Sequence, residues 1–382
     1  MKTVEVGDLS IGDGHEPKVM SVLNMSENSG YEPSVHVDAE KAAAVVDEEL
    51  VPAGADIIDI GLQSANPKYE TKSPEYELER LKAAAEVIDN VESDTVFSIE
   101  TRYAEVAEEA IQKGFHIIND VCGFADPEMR STCEAYDVPV IKMASPPDLD
   151  RPGALKTVDD VFEALERGGV TDRTIVDPAF GGWYDGKTYE DNREMFRRLS
   201  EFRAFGCPIL TATNREDFLG DLANQPETED QLAVSLAAAA LEVDRGAHVI
   251  RTHDTKETYD VVQVAHALGR EHINRTSPVN VTELSGVTRR EMRRHFSVSD
   301  RAVNGPARAS SLTFSIESLP GGAADTAEKI AELNDLPAAI SDGTLVLSGT
   351  PRTFVDFLDD LPTDDPELAS MADSIGAALE RK

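Results

Sequence analysis

A set of polar residues closes a series of short apolar runs in this chain: Asn24, Asp59, Glu100, Asn119, Asp120, Lys142, Asp177, Thr211, Thr213, Arg251, His253 and Asp254. Taken singly, each is ordinary. An Asn or Asp at the end of a strand commonly makes a turn by bonding its own backbone. Taken together, they form a ring of carboxylates and amides around one mouth. Paired Asn and Asp side chains present alternating donors and acceptors, which suits a heterocycle with alternating N–H and C=O groups. Ring recognition is therefore the chemistry these residue types could perform, provided one set of elements brings the run ends together.

The spacing of the runs supplies such elements. Apolar runs at 19–23, 56–60, 95–99, 115–118, 138–143, 173–176, 208–211 and 248–250 alternate with segments of helical period. Those segments lie near 37–51, 74–91, 104–113, 127–135, 157–167, 190–205, 228–245 and 256–268. The runs are apolar at consecutive positions, as in parallel strands buried on both faces. Eight such units in about 250 residues is the arithmetic of a (β/α)8 TIM barrel, which keeps its chemistry at the C-terminal ends of the strands. No G-x-G-x-x-G follows any run, which argues against a dinucleotide-binding open sheet. Ser73-Pro74 reads as an N-cap followed by proline at the first helical position. Gly54, Gly114 and Gly246 each end a helix just before a strand, as a left-handed position past the last turn requires.

Residues 1–17, with Val4, Val6, Leu9 and Ile11 around Gly7-Asp8, read as a β-hairpin capping the bottom of the barrel. The expected division is a barrel over 1–273 and a small C-terminal α+β extension over 274–382. The extension reads as a helix at 324–334, strands at 338–340 and 344–347, a helix at 351–361 and a last amphipathic helix. No chemistry attaches to it.

With 72 Asp+Glu against 36 Lys+Arg, the formal net charge is -36. Such a surface repels nucleic-acid phosphates and anionic lipid headgroups. No run of 18 apolar residues exists, so no transmembrane helix is expected, and residues 1–17 lack a signal-peptide apolar stretch. Three cysteines without C-x-x-C spacing fit a reducing, cytoplasmic setting with buried thiols. Lysines number 13 against 23 arginines, and acid runs such as Asp47-Glu48-Glu49 decorate helix faces. This composition suggests adaptation to molar salt, where the Debye length shrinks to about 3 Å and self-repulsion is screened.

Several stretches resemble the pterin-binding enzymes, dihydropteroate synthase above all. They are Val19-Met20-Ser21-Val22-Leu23-Asn24, Gly54-Ala55-Asp56-Ile57-Ile58-Asp59-Ile60-Gly61, Phe97-Ser98-Ile99-Glu100-Thr101, Ile117-Ile118-Asn119-Asp120, Val176-Asp177-Pro178 and Arg251-Thr252-His253-Asp254-Thr255-Lys256-Glu257-Thr258. They fall in the family's order over about 250 residues. The resemblance implies a transferase joining a dihydropterin hydroxymethyl diphosphate to 4-aminobenzoate or a related arylamine, with Mg²⁺ offsetting the charge of the departing diphosphate. It implies that Asn119, Asp177 and Glu100 bind the pterin, Glu100 standing where the family has aspartate. Asn24 would sit at the diphosphate and metal, and Arg251 and His253 would face pterin and diphosphate as the catalytic pair. The implied partners are these small molecules, with neither nucleic acid nor membrane, and with a homodimer as the assembly.

Departures from the family pattern fall in the loops. The second loop's Ser-Thr-Arg is here Ser64-Ala65-Asn66, and the seventh strand's Ser-Arg-Lys-Ser is Asn214-Arg215-Glu216-Asp217. The first loop's Thr-Pro-Asp-Ser-Phe is Ser26-Glu27-Asn28-Ser29-Gly30, and His-Met of the fifth strand is Lys142-Met143. A pocket lysine thus becomes Glu216, and Lys142 and Arg215 are the cations expected to compensate at the mouth. Two other functions suit a barrel with a retained pterin ring and altered loops: a pterin-dependent methyl or C1 transferase, and a noncatalytic pterin-binding protein.

Overall fold

The computed structural model describes residues 1–26, 32–66, 68–184, 186–269, 273–276, 279–282, 288, 290–291, 294, 311–316, 319–341, 344–362 and 364–380. The chain divides into two compact units, Met1–Glu283 and Leu284–Lys382.

In the first unit a hairpin, β1 (Val4–Val6) and β2 (Leu9–Ile11), turns at Gly7, whose φ is +53°. The barrel strands follow: β3 (Lys18–Asn24), β4 (Ile57–Gly61), β5 (Val96–Thr101), β6 (Ile117–Asp120), β7 (Val140–Met143), β8 (Thr174–Asp177), β9 (Leu210–Thr211) and β10 (Val249–Thr252). All pair in parallel, in the order β8-β7-β6-β5-β4-β3-β10-β9. A parallel bridge between Val176 and Ile209 joins β8 to β9 and closes the ring, with the Val176 N–H donating to the Pro208 carbonyl at 2.9 Å. The eight-strand barrel expected from the run spacing is the observed fold.

Helices cover the outside: α1 (Ala39–Val45), α2 (Pro74–Asn90), α3 (Ala104–Gln112), α4 (Met129–Ala135), α5 (Val158–Glu166), α6 (Tyr189–Arg197), α7 (Asp217–Ala223), α8 (Leu232–Asp244) and α9 (Thr255–Leu268). Capping boxes Thr157/Asp160 and Thr188/Asp191 start α5 and α6, each satisfying two otherwise orphaned backbone donors. Gly54, Gly114 and Gly246 take φ of +101°, +97° and +96°, as their place ahead of a strand predicts. Helix α7 is an addition the sequence rhythm did not suggest. It opens directly after Glu216.

Strand alternation divides the buried residues into shells. Met20, Ile57, Val96, Ile117, Ile141, Ile175, Leu210 and Val249, one from each strand, pack together with Val4, Val6 and Ile11 of the hairpin. They form the lower plug of the barrel. Their neighbours of opposite parity, such as Ile58, Phe97 and Ile118, pack with Leu81, Ala107 and other residues of the helices. Fully burying each such side chain stabilises the fold by about 1.5–3 kcal/mol. A second hairpin, β11 (Ile273–Thr276) with β12 (Val279–Thr282), ends this unit.

The second unit holds a three-stranded antiparallel sheet, ordered β13 (Leu312–Ile316), β15 (Thr344–Gly349), β14 (Ala338–Ser341). It carries α10 (Gly321–Leu333), α11 (Pro351–Asp359) and α12 (Pro366–Glu380), and its core includes Leu345, Leu347, Phe354 and Phe357. Among the described residues, no helix is long and apolar enough to cross a membrane.

Candidate active site

Two residues past the apolar plug, the same strand faces carry Asp59, Ser98, Asn119, Asp177 and Arg251, and side-chain period two keeps them on the plug's side. Arg251 of β10 bridges β4 and β5. Its Nε donates to Asp59 Oδ2 at 2.8 Å and its Nη2 to Glu100 Oε2 at 2.7 Å. Asn119 Nδ2 donates to the same Asp59 oxygen at 3.0 Å. Asp59 and Ser98 are fully buried, yet Asp59 Oδ1 and Ser98 Oγ have no protein partner. Buried oxygens left in this state call for a water or a ligand donor.

Burial and charge act together on this cluster. Burial pushes the Glu100 carboxyl up to about 7, opposed by Arg251 and reinforced by Asp59. Burial likewise raises Asp177 to about 6, against the bond from the Ala179 N–H and the charge of Arg251. His253, half-buried beside Arg251, falls to about 3 and is a neutral imidazole at working pH. Three carboxyl groups therefore surround Arg251, and the arrangement suits a neutral, donor-rich ring edge better than an anion at its floor.

The flanking groups stand differently. Asp177 Oδ1 accepts from the Ala179 N–H at 2.8 Å. Asn24 Nδ2 donates to Ser34 Oγ at 2.9 Å, and a Cβ at Gly61 would lie 3.1 Å from Asn24 Oδ1. The His253 N–H donates to Asn214 Oδ1 at 3.0 Å. Asn66, in the altered second loop, accepts from the Lys68 N–H at 2.9 Å. The Ser64 hydroxyl accepts from the Asn66 N–H at 3.2 Å. Glu27 to Gly30 of the altered first loop lie outside the described residues.

Both expected compensating cations are held by groups outside this cluster. Lys142 follows the plug residue Ile141, so strand alternation turns it outward. Its Nζ donates to the carbonyls of Leu165, Arg167 and Gly169 at 2.8, 2.6 and 2.9 Å at the end of α5. Arg215 is held by Asp254 in a two-point pair, Nε to Oδ2 at 2.9 Å and Nη2 to Oδ1 at 2.8 Å, and also donates to the Thr228 carbonyl. Asp120 and Thr211 share the outward parity. Asp120 accepts from the Cys122 N–H at 2.9 Å, and Thr211 and Thr213 donate to Glu242 of α8 at 2.9 and 2.6 Å.

Sequence reasoning placed Asp59 in the ring without a role, although it is the acceptor at the centre of the cluster. It missed Ser98, whose parity with Val96 was available, and Lys187, which no periodicity marks. Lys187 is buried, and burial lowers it to about 8 against the charges of Glu216 and Asp177. Among the described residues, no group of three or more His, Cys, Asp or Glu could hold a metal ion.

The family described as pterin binding enzyme matches residues 20–253. A probable bifunctional folylpolyglutamate synthase/dihydropteroate synthase of Halobacterium salinarum is 36% identical over 267 residues, 67% of this chain and 32% of that protein. The chain thus spans about a third of the length of that relative. The dihydropteroate synthase of Escherichia coli is 32% identical over 270 residues, 67% of this chain and 93% of that one. The structure of a Coxiella burnetii dihydropteroate synthase in complex with pteroic acid aligns at a TM-score of 0.58 and 32% identity, covering 70% of this chain and 98% of that one.

Proposed function

The chain belongs to the pterin-binding enzyme family, and on that premise we propose that it is a transferase of the dihydropteroate synthase type. Its reaction joins a dihydropterin hydroxymethyl diphosphate to 4-aminobenzoate or a related arylamine, in folate biosynthesis. The C–O bond to diphosphate breaks, the methylene–nitrogen bond forms, and the amine gives up a proton. Such chemistry depends on positioning and on stabilising charge more than on a strong base.

The observation that carries this reading is the cluster of Arg251 held between Asp59 and Glu100, with Asn119 bonded to Asp59. The oxygens of Asp59 and Ser98 that lack protein partners are acceptors for the donors of a pterin edge, with Asn119, Asp177 and Glu100 as its other contacts. Arg251 and the neutral His253 would act at the methylene and diphosphate side. Mg²⁺ prefers oxygen ligands and commonly takes only one or two from protein, with substrate phosphates supplying others. A Mg²⁺ arriving on the diphosphate would take Asn24 Oδ1 as its protein oxygen. Bound there, it would supply positive charge to offset that of the departing diphosphate.

The partners on this reading are the two small molecules. A homodimer is supported by Leu241, Val264 and Leu268, exposed apolar side chains on α8 and α9. A cytoplasmic setting is supported by three buried free cysteines.

Turnover of the pterin diphosphate with 4-aminobenzoate, in molar salt with Mg²⁺, tests the reading. The expected products are dihydropteroate and diphosphate, one for one. Pterin binding without turnover would make the chain a noncatalytic pterin binder. Methyl transfer from a methylated tetrahydropterin to a corrinoid would make it a C1 transferase.

A further inference from the structure

The loop after β8 turns at Ala179, whose φ of +58° lies in the left-handed region that L side chains rarely adopt. Two bonds hold this residue. Its N–H donates to Asp177 Oδ1 at 2.8 Å, and its carbonyl accepts from Lys187 Nζ. Lys187 is buried, and an ammonium withdrawn from water needs an opposite charge nearby. Glu216, on the next loop, and Asp177 supply such charge from a distance. The Lys187 and Glu216 side chains make no direct ion pair, but the charge of each acts on the other. The Glu216 carboxylate lies so close to Gly181 that an added Cβ there would meet Glu216 Oε1 at 2.6 Å. The loops after β8 and β9 thus approach closely at Gly181 and Glu216.

We propose that Lys187 is a positioning residue for Asp177. By holding the Ala179 carbonyl it fixes the backbone whose N–H aims the Asp177 carboxylate. The inference rests on the reading of Asp177 as a pterin-binding carboxylate. It also bears on the charge change at position 216: the cation on this flank comes from position 187.

The test uses the full chain and calorimetric titration with 6-hydroxymethylpterin in molar salt. Lys187→Met, close in length and apolar, is expected to bind about tenfold more weakly than the parent. Lys187→Arg keeps a donor for the Ala179 carbonyl and is expected to recover most of that loss. The exchanged variant Lys187→Glu/Glu216→Lys restores opposite charges but sets a carboxylate against that carbonyl, so it is expected to stay weak. Parent-like affinity in the exchanged variant would reduce Lys187 to half of an ion pair and overturn the proposal, as would parent-like affinity in Lys187→Met. If the parent itself fails to bind the pterin, the functional reading falls. The ligand-free crystal structure of Lys187→Met then decides this proposal alone. Loss of the Asp177–Ala179 bond supports it, and an unchanged bond overturns it.

Discussion

The lower and upper layers of the barrel come from the same strands, two residues apart, and differ completely in kind. Below, each strand gives an apolar side chain, Met20, Ile57, Val96, Ile117, Ile141, Ile175, Leu210 or Val249, and the hairpin seals them with Val4, Val6 and Ile11. Above, the positions two further on hold Val22, Asp59, Ser98, Asn119, Met143, Asp177, Ala212 and Arg251. The strands serve both layers because period two brings both to the interior. The lower layer is self-sufficient: its members satisfy one another by packing. The upper layer is incomplete by itself. It holds one guanidinium among several carboxyls, and Asp59 Oδ1 and Ser98 Oγ lack protein partners. A layer in that state is stable where a ligand or water completes it, and the plug beneath supplies the rigidity that lets it remain so.

Moving a charge from one layer to the other is the most severe way to break this distinction. Ile175 and Asp177 lie on β8, two residues apart and nearly equally buried. Asp177 has the charge of Arg251 and the Ala179 N–H to offset its burial. Ile175 packs in the plug with apolar residues of the other strands and the hairpin. Ile175→Asp is expected to lower unfolding free energy by more than about 4 kcal/mol, or to prevent folding, because a buried carboxylate without a partner is among the costliest single changes. Urea unfolding in molar salt measures it. A variant as stable as the parent would mean that the two layers are not distinct environments.

How much of this was legible in the sequence follows from the same alternation. The eight runs, the hairpin and the glycines ahead of strands are local patterns, and each appears where its pattern put it. Glu100, Asn119, Asp177 and Arg251 end runs on the inward parity, so naming them required only the run ends. Lys142 also ends a run, but it follows the inward Ile141 by one residue and therefore points to α5. Parity, applied strand by strand, would have separated it from the ring. Arg215 and Asp254 are 39 residues apart, joined by two loops whose course no periodicity records. Lys187 lies in a loop ten residues past Asp177 and reaches back to Ala179 only because the turn there is left-handed. Contacts between irregular loops are set by tertiary packing, and the sequence carries no repeat that marks them.

Within the upper layer, Asp177→Asn sharpens the comparison without disturbing the fold. The amide keeps an oxygen for the Ala179 N–H, and a neutral side chain avoids the burial penalty that raises the carboxyl to about 6. Stability is expected to hold or rise slightly. Pterin affinity is expected to fall by about tenfold or more, since a charged acceptor for ring donors is lost. Calorimetric titration in high salt reads both the site and its independence from the plug. Equal affinity in the variant would remove Asp177 from the pterin site.

The smallest effect separates buried carboxyls of the interior from those on the outer, helix-facing side. Burial pushes Glu242 up to about 7, opposed by the Thr213 and Thr211 hydroxyls, and Asp120, Asp177 and Glu100 are raised to about 6, 6 and 7. In the unfolded chain such groups titrate near about 4. Between about pH 4 and 7 these four groups therefore bind more protons in the folded protein than in the unfolded chain, and their contribution to stability falls as pH rises through the folded values. Each group contributes at most about 1.4 kcal/mol per pH unit. Glu242→Gln keeps an oxygen for one of the hydroxyls that donate to Glu242 at 2.9 and 2.6 Å, but removes one titration from outside the ring. Urea unfolding from pH 5 to 7.5 should show a shallower decline in this variant, with pterin affinity unchanged. A decline as steep as the parent's would show that Glu242 holds its charge in the folded state, and that the slope belongs to the other buried carboxyls.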